Sequence, residues 1–175
     1  MDLQLAGKPV VVTGGAGGIG AAISLSLARE GAVPVILDRA APPPALMAEL
    51  QRLAPRTLAL QLELVDEAAC VAAVRRVLAT VGQVHGLVNN AGGNDTVPLE
   101  APTDAWRGSL ERNLVQCMVL ARELLPSLRQ TRGAIVNISS KTAVTGQGRT
   151  SGYVAAKGAL LGLTREWAAA LRGDG

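Results

Sequence analysis

The run Lys8-Pro9-Val10-Val11-Val12-Thr13-Gly14-Gly15-Ala16-Gly17-Gly18-Ile19-Gly20 decides the fold. Its first half is a short β-branched stretch, which reads as a buried strand. Four glycines then break it. Beyond them Ile19, Ala22, Ile23 and Leu27 recur at helical spacing. Strand, tight glycine turn and helix therefore follow one another without a linker. Such a turn lets the backbone come close to a ligand. The helix start behind it offers unpaired N–H groups and partial positive charge, the conditions that hold a phosphate. The run lacks the Lys-Ser/Thr ending of a P-loop, which argues against ATP hydrolysis.

The same alternation continues along the chain. Residues 18–30, 42–54, 67–81, 103–130 (one long helix or two shorter ones) and 151–172 read as helices, and residues 33–37, 57–62, 86–89 and 133–138 as strands. Pro126 is expected to kink or end the long fourth helix. The strands are near-continuous apolar runs, so the sheet is parallel and covered on both faces. Right-handed crossovers then lead to an α/β, Rossmann-type doubly wound parallel sheet of order 3-2-1-4-5, in a single domain over residues 1–175. Ligands of such sheets sit beyond the carboxyl ends of the strands, where the winding reverses between strands one and four.

Composition removes several function classes. The chain has 175 residues and net charge +3, without a basic run and almost without aromatics to stack on bases. Nucleic acid is therefore not an expected partner. No apolar run is long enough to cross a bilayer, and Met1-Asp2-Leu3-Gln4 lacks the basic start of a signal peptide, so a cytoplasmic location is expected. His85 is the single histidine, which leaves no histidine metal cluster. Cys70 and Cys117 fall in helices without CxxC spacing and read as buried free thiols.

Chemistry-bearing residues gather at the strand ends. Asp38 closes the second strand 18 residues after Gly20. A carboxylate there accepts from a ribose 2′-hydroxyl and repels a 2′-phosphate, which favours NAD over NADP, although adjacent Arg39 offsets this in part. Tyr153 and Lys157 stand four apart on the last helix and share one face. An ammonium beside a phenol favours the phenolate, and a phenol so placed serves as acid–base at an alcohol oxygen. Ser139-Ser140 closes the fifth strand and Asn89-Asn90-Ala91-Gly92 the fourth, on the same edge of the sheet as the glycine turn.

Together these motifs resemble the short-chain dehydrogenase/reductase superfamily. The match runs through Thr13-Gly14-x-x-x-Gly18-Ile19-Gly20, Asn89-Asn90-Ala91-Gly92, Asn113, Ser140 and Tyr153-x-x-x-Lys157. Ser140 and Tyr153 are thirteen apart, the family's usual separation, which selects Ser140 over Ser139. The resemblance implies Tyr153 as acid–base and Ser140 as the holder of the reacting oxygen. It implies that Lys157 supports Tyr153 and binds the nicotinamide ribose, and that Asn113 supports a water relay. Gly14, Gly17, Gly18, Ile19, Gly20, Asp38, Glu63, Leu64, Asn90, Ala91 and Gly92 would then line an NAD or NADP site.

The stretches around Ser139–Tyr153 and Thr164–Trp167 are similar to bacterial sugar dehydrogenases of the family, those acting on L-fucose-like aldoses in particular. That implies oxidation of an anomeric hydroxyl to a lactone, with Asn94, Asp95, Gln147 and Arg149 as polar candidates to hold the sugar. Three departures stand out. Gly17 replaces a frequent serine, Glu63 stands where an aspartate is usual, and the chain is shorter than the family. The sixth and seventh strands and the substrate lid have no counterpart, so a fragment or a truncated product with weak or no turnover is expected. The alternative is a non-catalytic dinucleotide-binding protein. The helices at 103–130 and 151–172 are expected to expose apolar stripes, and the resemblance implies a homo-oligomer.

Overall fold

In the computed structural model, residues 2–174 are described. Five strands form one parallel sheet in the order β3-β2-β1-β4-β5. They are β1 (Pro9–Thr13), β2 (Val33–Asp38), β3 (Leu58–Gln61), β4 (Gly86–Asn89) and β5 (Ala134–Asn137). The crossover helices are α1 (Gly18–Arg29), α2 (Pro44–Leu53), α3 (Glu67–Val81), α4 (Thr103–Leu110) with α5 (Gln116–Thr131), and the chain returns through α6 (Thr142–Thr145) to α7 (Ser151–Ala170). The doubly wound architecture expected from the alternation is the one found.

Register explains why β1 is buried at every position. Val11 pairs with Val35 on one side and with Leu87 on the other, so β1 is central. Successive side chains leave opposite faces of a strand. Val11 joins Val35, Leu87, Leu120 and Leu124 in the layer under α3 and α5. Val10 and Val12 join Ala32 and Val88 in the layer under α1, against Ile23 and Leu27. A strand buried on both faces reads as a near-continuous apolar run, here Val10 to Val12. Pro34 fits in β2 because the pairing with β3 begins only at Val35. β5 is the outer strand, and Val136 on it is 48% exposed.

Two local features differ from the periodicity. Pro126 lies inside α5, which continues to Thr131 rather than ending. The carbonyl that a proline at this position leaves without its helical N–H partner belongs to exposed Arg122. The segment between Thr103 and Thr131 is neither one helix nor two separate ones. A π-helical turn, Glu111–Val115, splices α4 to α5. The expected apolar stripes are narrow. Met118 is 44% exposed on α5, while the exposed apolar positions of α7 are small, Ala155 and Ala168 among them.

Leu120 is fully buried where α5 meets the sheet. Leu120→Ala is expected to lower the unfolding free energy by about 2–5 kcal/mol, read as a shifted urea midpoint with an unchanged slope.

Candidate active site

The carboxyl ends of β1 and β4 are clasped side chain to backbone. Thr13 is fully buried at the end of β1. Its hydroxyl oxygen accepts the N–H groups of Asn90 and Ala91, each at 2.9 Å. The Asn90 amide answers by donating to the carbonyls of Thr13 at 2.9 Å and Gly14 at 3.3 Å. The glycine turn is thereby held against the loop after β4. Gly14 adopts φ +64°, and a Cβ on it would stand 3.0 Å from the Ala91 Cα. At Gly20 a Cβ would strike the Gly14 carbonyl oxygen, so only glycine lets α1 start this close to the turn. Gly17 caps α1 without a side-chain bond among the described residues. The first-turn N–H groups of α1 therefore remain available to an anion.

Asp38 is not a loose strand-end charge. One carboxylate oxygen accepts the Ala16 N–H at 2.9 Å and the other the Ala40 N–H at 3.0 Å. Both bonds hold it beside the glycine turn.

Lys157 is 3% exposed, one helical turn beyond Tyr153 on α7. Its Nζ lies 5.9 Å from the centre of the Tyr153 ring and donates to the Ile138 carbonyl at 2.8 Å. Burial pushes the ammonium below the ordinary lysine value of 10.5, and the nearby Cys117 thiol acts weakly in the opposite sense. Cys117 itself is buried and free, with its thiol pushed up to about 11 by desolvation. Cys70 is buried and free as well, its thiol also near 11. Ser139 donates its hydroxyl proton to the Lys157 carbonyl at 2.7 Å. Ser140 lies half-buried beside it, its oxygen 2.9 Å from the Thr142 hydroxyl.

Asn113 sits in the π-helical turn and is fully buried. Its Oδ1 accepts the Gly93 N–H at 2.8 Å, and its Nδ2 donates to the Ser109 carbonyl at 3.1 Å. The side chain thus braces the loop after β4. Asp95 in that loop is ion-paired with Arg112 at 2.8 Å. Asn94 turns back on its own chain, accepting the Thr96 N–H at 3.1 Å.

A cleft of about 900 Å³ runs along this edge of the sheet. Of the residues singled out from the sequence, Gly14, Gly17, Gly18, Ile19, Asp38, Glu63, Leu64, Asn90, Ala91, Gly92, Tyr153 and Lys157 line it. Gly20 and Asn113 lie behind its wall. Ser140, Asn94 and Gln147 are outside its lining, and Gln147 and Arg149 are exposed on the loop after α6. Sequence reasoning assigned no role to Thr13 as a clasp, nor to Gln116. Gln116 is buried on the cleft wall and donates to the Ala91 carbonyl at 3.0 Å and the Arg112 carbonyl at 2.7 Å. The only sign of the Thr13 clasp in the sequence is a threonine where an apolar strand meets glycine.

A glycine turn on an open cleft, at the reversal point of a doubly wound sheet, defines a Rossmann-type fold. The family model described as short chain dehydrogenase matches residues 8–175, and the chain belongs to that family. L-fucose dehydrogenase of Bos taurus is 35% identical over 94% of this chain and 61% of its own length. The crystal structure of Cj0485 dehydrogenase is 39% identical with a TM-score of 0.97, over 99% of this chain and 67% of that one. Carveol dehydrogenase from Mycobacterium avium in complex with NAD is 26% identical with a TM-score of 0.86, over 98% of this chain and 68% of that one. The chain spans about three-fifths of the length of the L-fucose dehydrogenases it matches.

Lys157 carries a checkable signature. Its folded value lies below 10.5, so between the two values the unfolded chain binds more protons than the folded one. Stability then rises with pH across that window. Urea midpoints of the wild type are expected to gain on those of Lys157→Met as the pH is raised toward 10.5. A gap that stays constant would mean an ammonium as well solvated in the fold as out of it.

Proposed function

We propose that this chain binds a nicotinamide dinucleotide, NAD in preference to NADP, and exchanges hydride between it and a secondary alcohol or sugar. The observation that carries the reading is the joint placement of Tyr153 and Lys157 on the same cleft as the glycine turn and Asp38. The residues fit the cofactor. Unpaired N–H groups at the start of α1 suit a pyrophosphate, and nothing stands within 4 Å of a Cβ built on Gly17. The Asp38 carboxylate suits a free ribose 2′-hydroxyl and repels a phosphate in its place. Glu63 and Leu64 lie at the Asp38 end of the cleft and suit the adenine.

When bound, the nicotinamide supplies the hydride acceptor. The chain's own groups handle the proton and the oxygen. Tyr153 takes the substrate hydroxyl proton in oxidation and returns it in reduction. Lys157 places positive charge beside the ring that must carry the transient negative charge. Ser139 has its proton committed to the Lys157 carbonyl. Ser140, thirteen residues before Tyr153, would hold the reacting oxygen, as the motif resemblance implies. Asn113, locked in the π-helical turn, supports a water relay behind Lys157.

The relative named for L-fucose and the motif resemblance support an aldose oxidised at its anomeric carbon, with Asn94, Gln147 and Arg149 at the sugar's side. A homo-oligomer through α5 and α7 and a cytoplasmic location complete the proposal. A second reading is a dinucleotide-binding protein without turnover. The exposed positions of Asn94, Gln147 and Arg149 favour it, because they leave the substrate side open to water.

Cofactor reduction on a panel of aldoses and secondary alcohols, L-fucose included, separates the two. Tyr153→Phe is expected to lower kcat by at least about 10²-fold while NAD affinity by calorimetry stays within about threefold of wild type. NAD binding with no reduction by either protein would establish the second reading. Loss of NAD binding would sink both.

A further inference from the structure

We propose that Thr142 is a positioning residue that makes Ser140 an obligate hydrogen-bond donor toward the reacting oxygen. This rests on the dehydrogenase reading above and adds a residue to its machinery. Thr142 opens α6, two residues after Ser140, and is 5% exposed. Its hydroxyl oxygen lies 2.9 Å from that of Ser140, and its backbone N–H donates to the same Ser140 oxygen at 3.3 Å.

Distance alone leaves open which hydroxyl donates; burial decides it. Among the described residues the Thr142 hydroxyl has no other partner than Ser140. If Ser140 donated, the Thr142 proton would be buried with no acceptor, the costly case. If Thr142 donates, its own buried proton has an acceptor. A hydroxyl offers one proton and two lone pairs. Both lone pairs of Ser140 are then taken, one by the Thr142 O–H and one by its N–H. What remains to half-buried Ser140 is its own proton. That proton suits an oxygen gaining negative charge, as the substrate oxygen does once Tyr153 holds its proton. It also denies Ser140 the wasteful role of accepting from the substrate hydroxyl, whose proton must go to Tyr153.

Ser139 shows the contrast. The adjacent serine gives its proton to the Lys157 carbonyl and holds the end of β5 to α7. Two neighbouring hydroxyls of one residue type are thus set to opposite uses by their partners alone.

The test uses Thr142→Val, which keeps shape and N–H but removes the hydroxyl, and Thr142→Ser, which restores it. Expected for Thr142→Val is a fall of about tenfold in kcat with KM for NAD and its calorimetric affinity unchanged, and recovery to within about twofold in Thr142→Ser. Unchanged kcat in Thr142→Val overturns the proposal. An equal loss in both variants also overturns it, because packing would then be the cause. If Tyr153→Phe is as active as wild type, or wild type reduces no cofactor, the dehydrogenase reading has failed instead. Neutron diffraction of the deuterated chain then decides the hydroxyl arrangement without turnover. Deuterium on the Thr142 oxygen aimed at Ser140 supports the assignment, and deuterium on Ser140 aimed at Thr142 ends it.

Discussion

The clasp between Thr13 and Asn90 is the constraint on which the site depends. A parallel sheet fixes the order of its strands but leaves the loops beyond them free. Here one buried hydroxyl accepts two N–H groups from the loop after β4, while an amide from that loop reaches back to two carbonyls of the glycine turn. Four bonds therefore tie the two loops flanking the reversal point. The cleft is wide because the crossovers to either side of it run in opposite directions. It is defined because these loops cannot drift apart. Gly14 and Gly20 belong to the same constraint, since a methyl group at either would occupy the space the clasp closes.

A second tension lies in Lys157. Taking an ammonium out of water is costly, and the fold returns only part of that cost through the Ile138 carbonyl. No carboxylate is bonded to it among the described residues. A buried, perturbed ammonium lining a cleft marks a candidate functional group. The neighbour within reach is Tyr153, one helical turn back. The same backbone stretch that solvates the ammonium, Ile138 to Ser140, also presents the two serines. Moving the end of β5 would disturb the cation and the hydroxyls together.

Much of this was legible in the residues. The strand and helix order followed from apolar period, and sheet order from the handedness of crossovers. Asp38, Tyr153 and Lys157 were readable because each has a fixed offset from a turn or a helix face. What was not legible shares one cause. Pro126 lies within a continuing helix at a position where Arg122 is exposed, and no local rule reports which way a helix faces. Asn113 in the π-helical turn bonds to Gly93 and Ser109, one of them twenty residues away. Asn94 turns on its own chain and Asp95 pairs with Arg112, contacts that no spacing in the sequence announces.

By itself the sequence determined the kind of sheet, its strand order, the glycine turn and the tyrosine–lysine pair. These depend on period, steric permission and short spacing, all of which are local. Only the tertiary structure decided how hydroxyls and amides were spent. What Ser139 donates to, what Thr13 and Asn90 hold, and what Asn113 braces all turn on partners distant in the chain. A polar group's chemistry is set by the donor or acceptor it meets, and the chain's order does not name that partner.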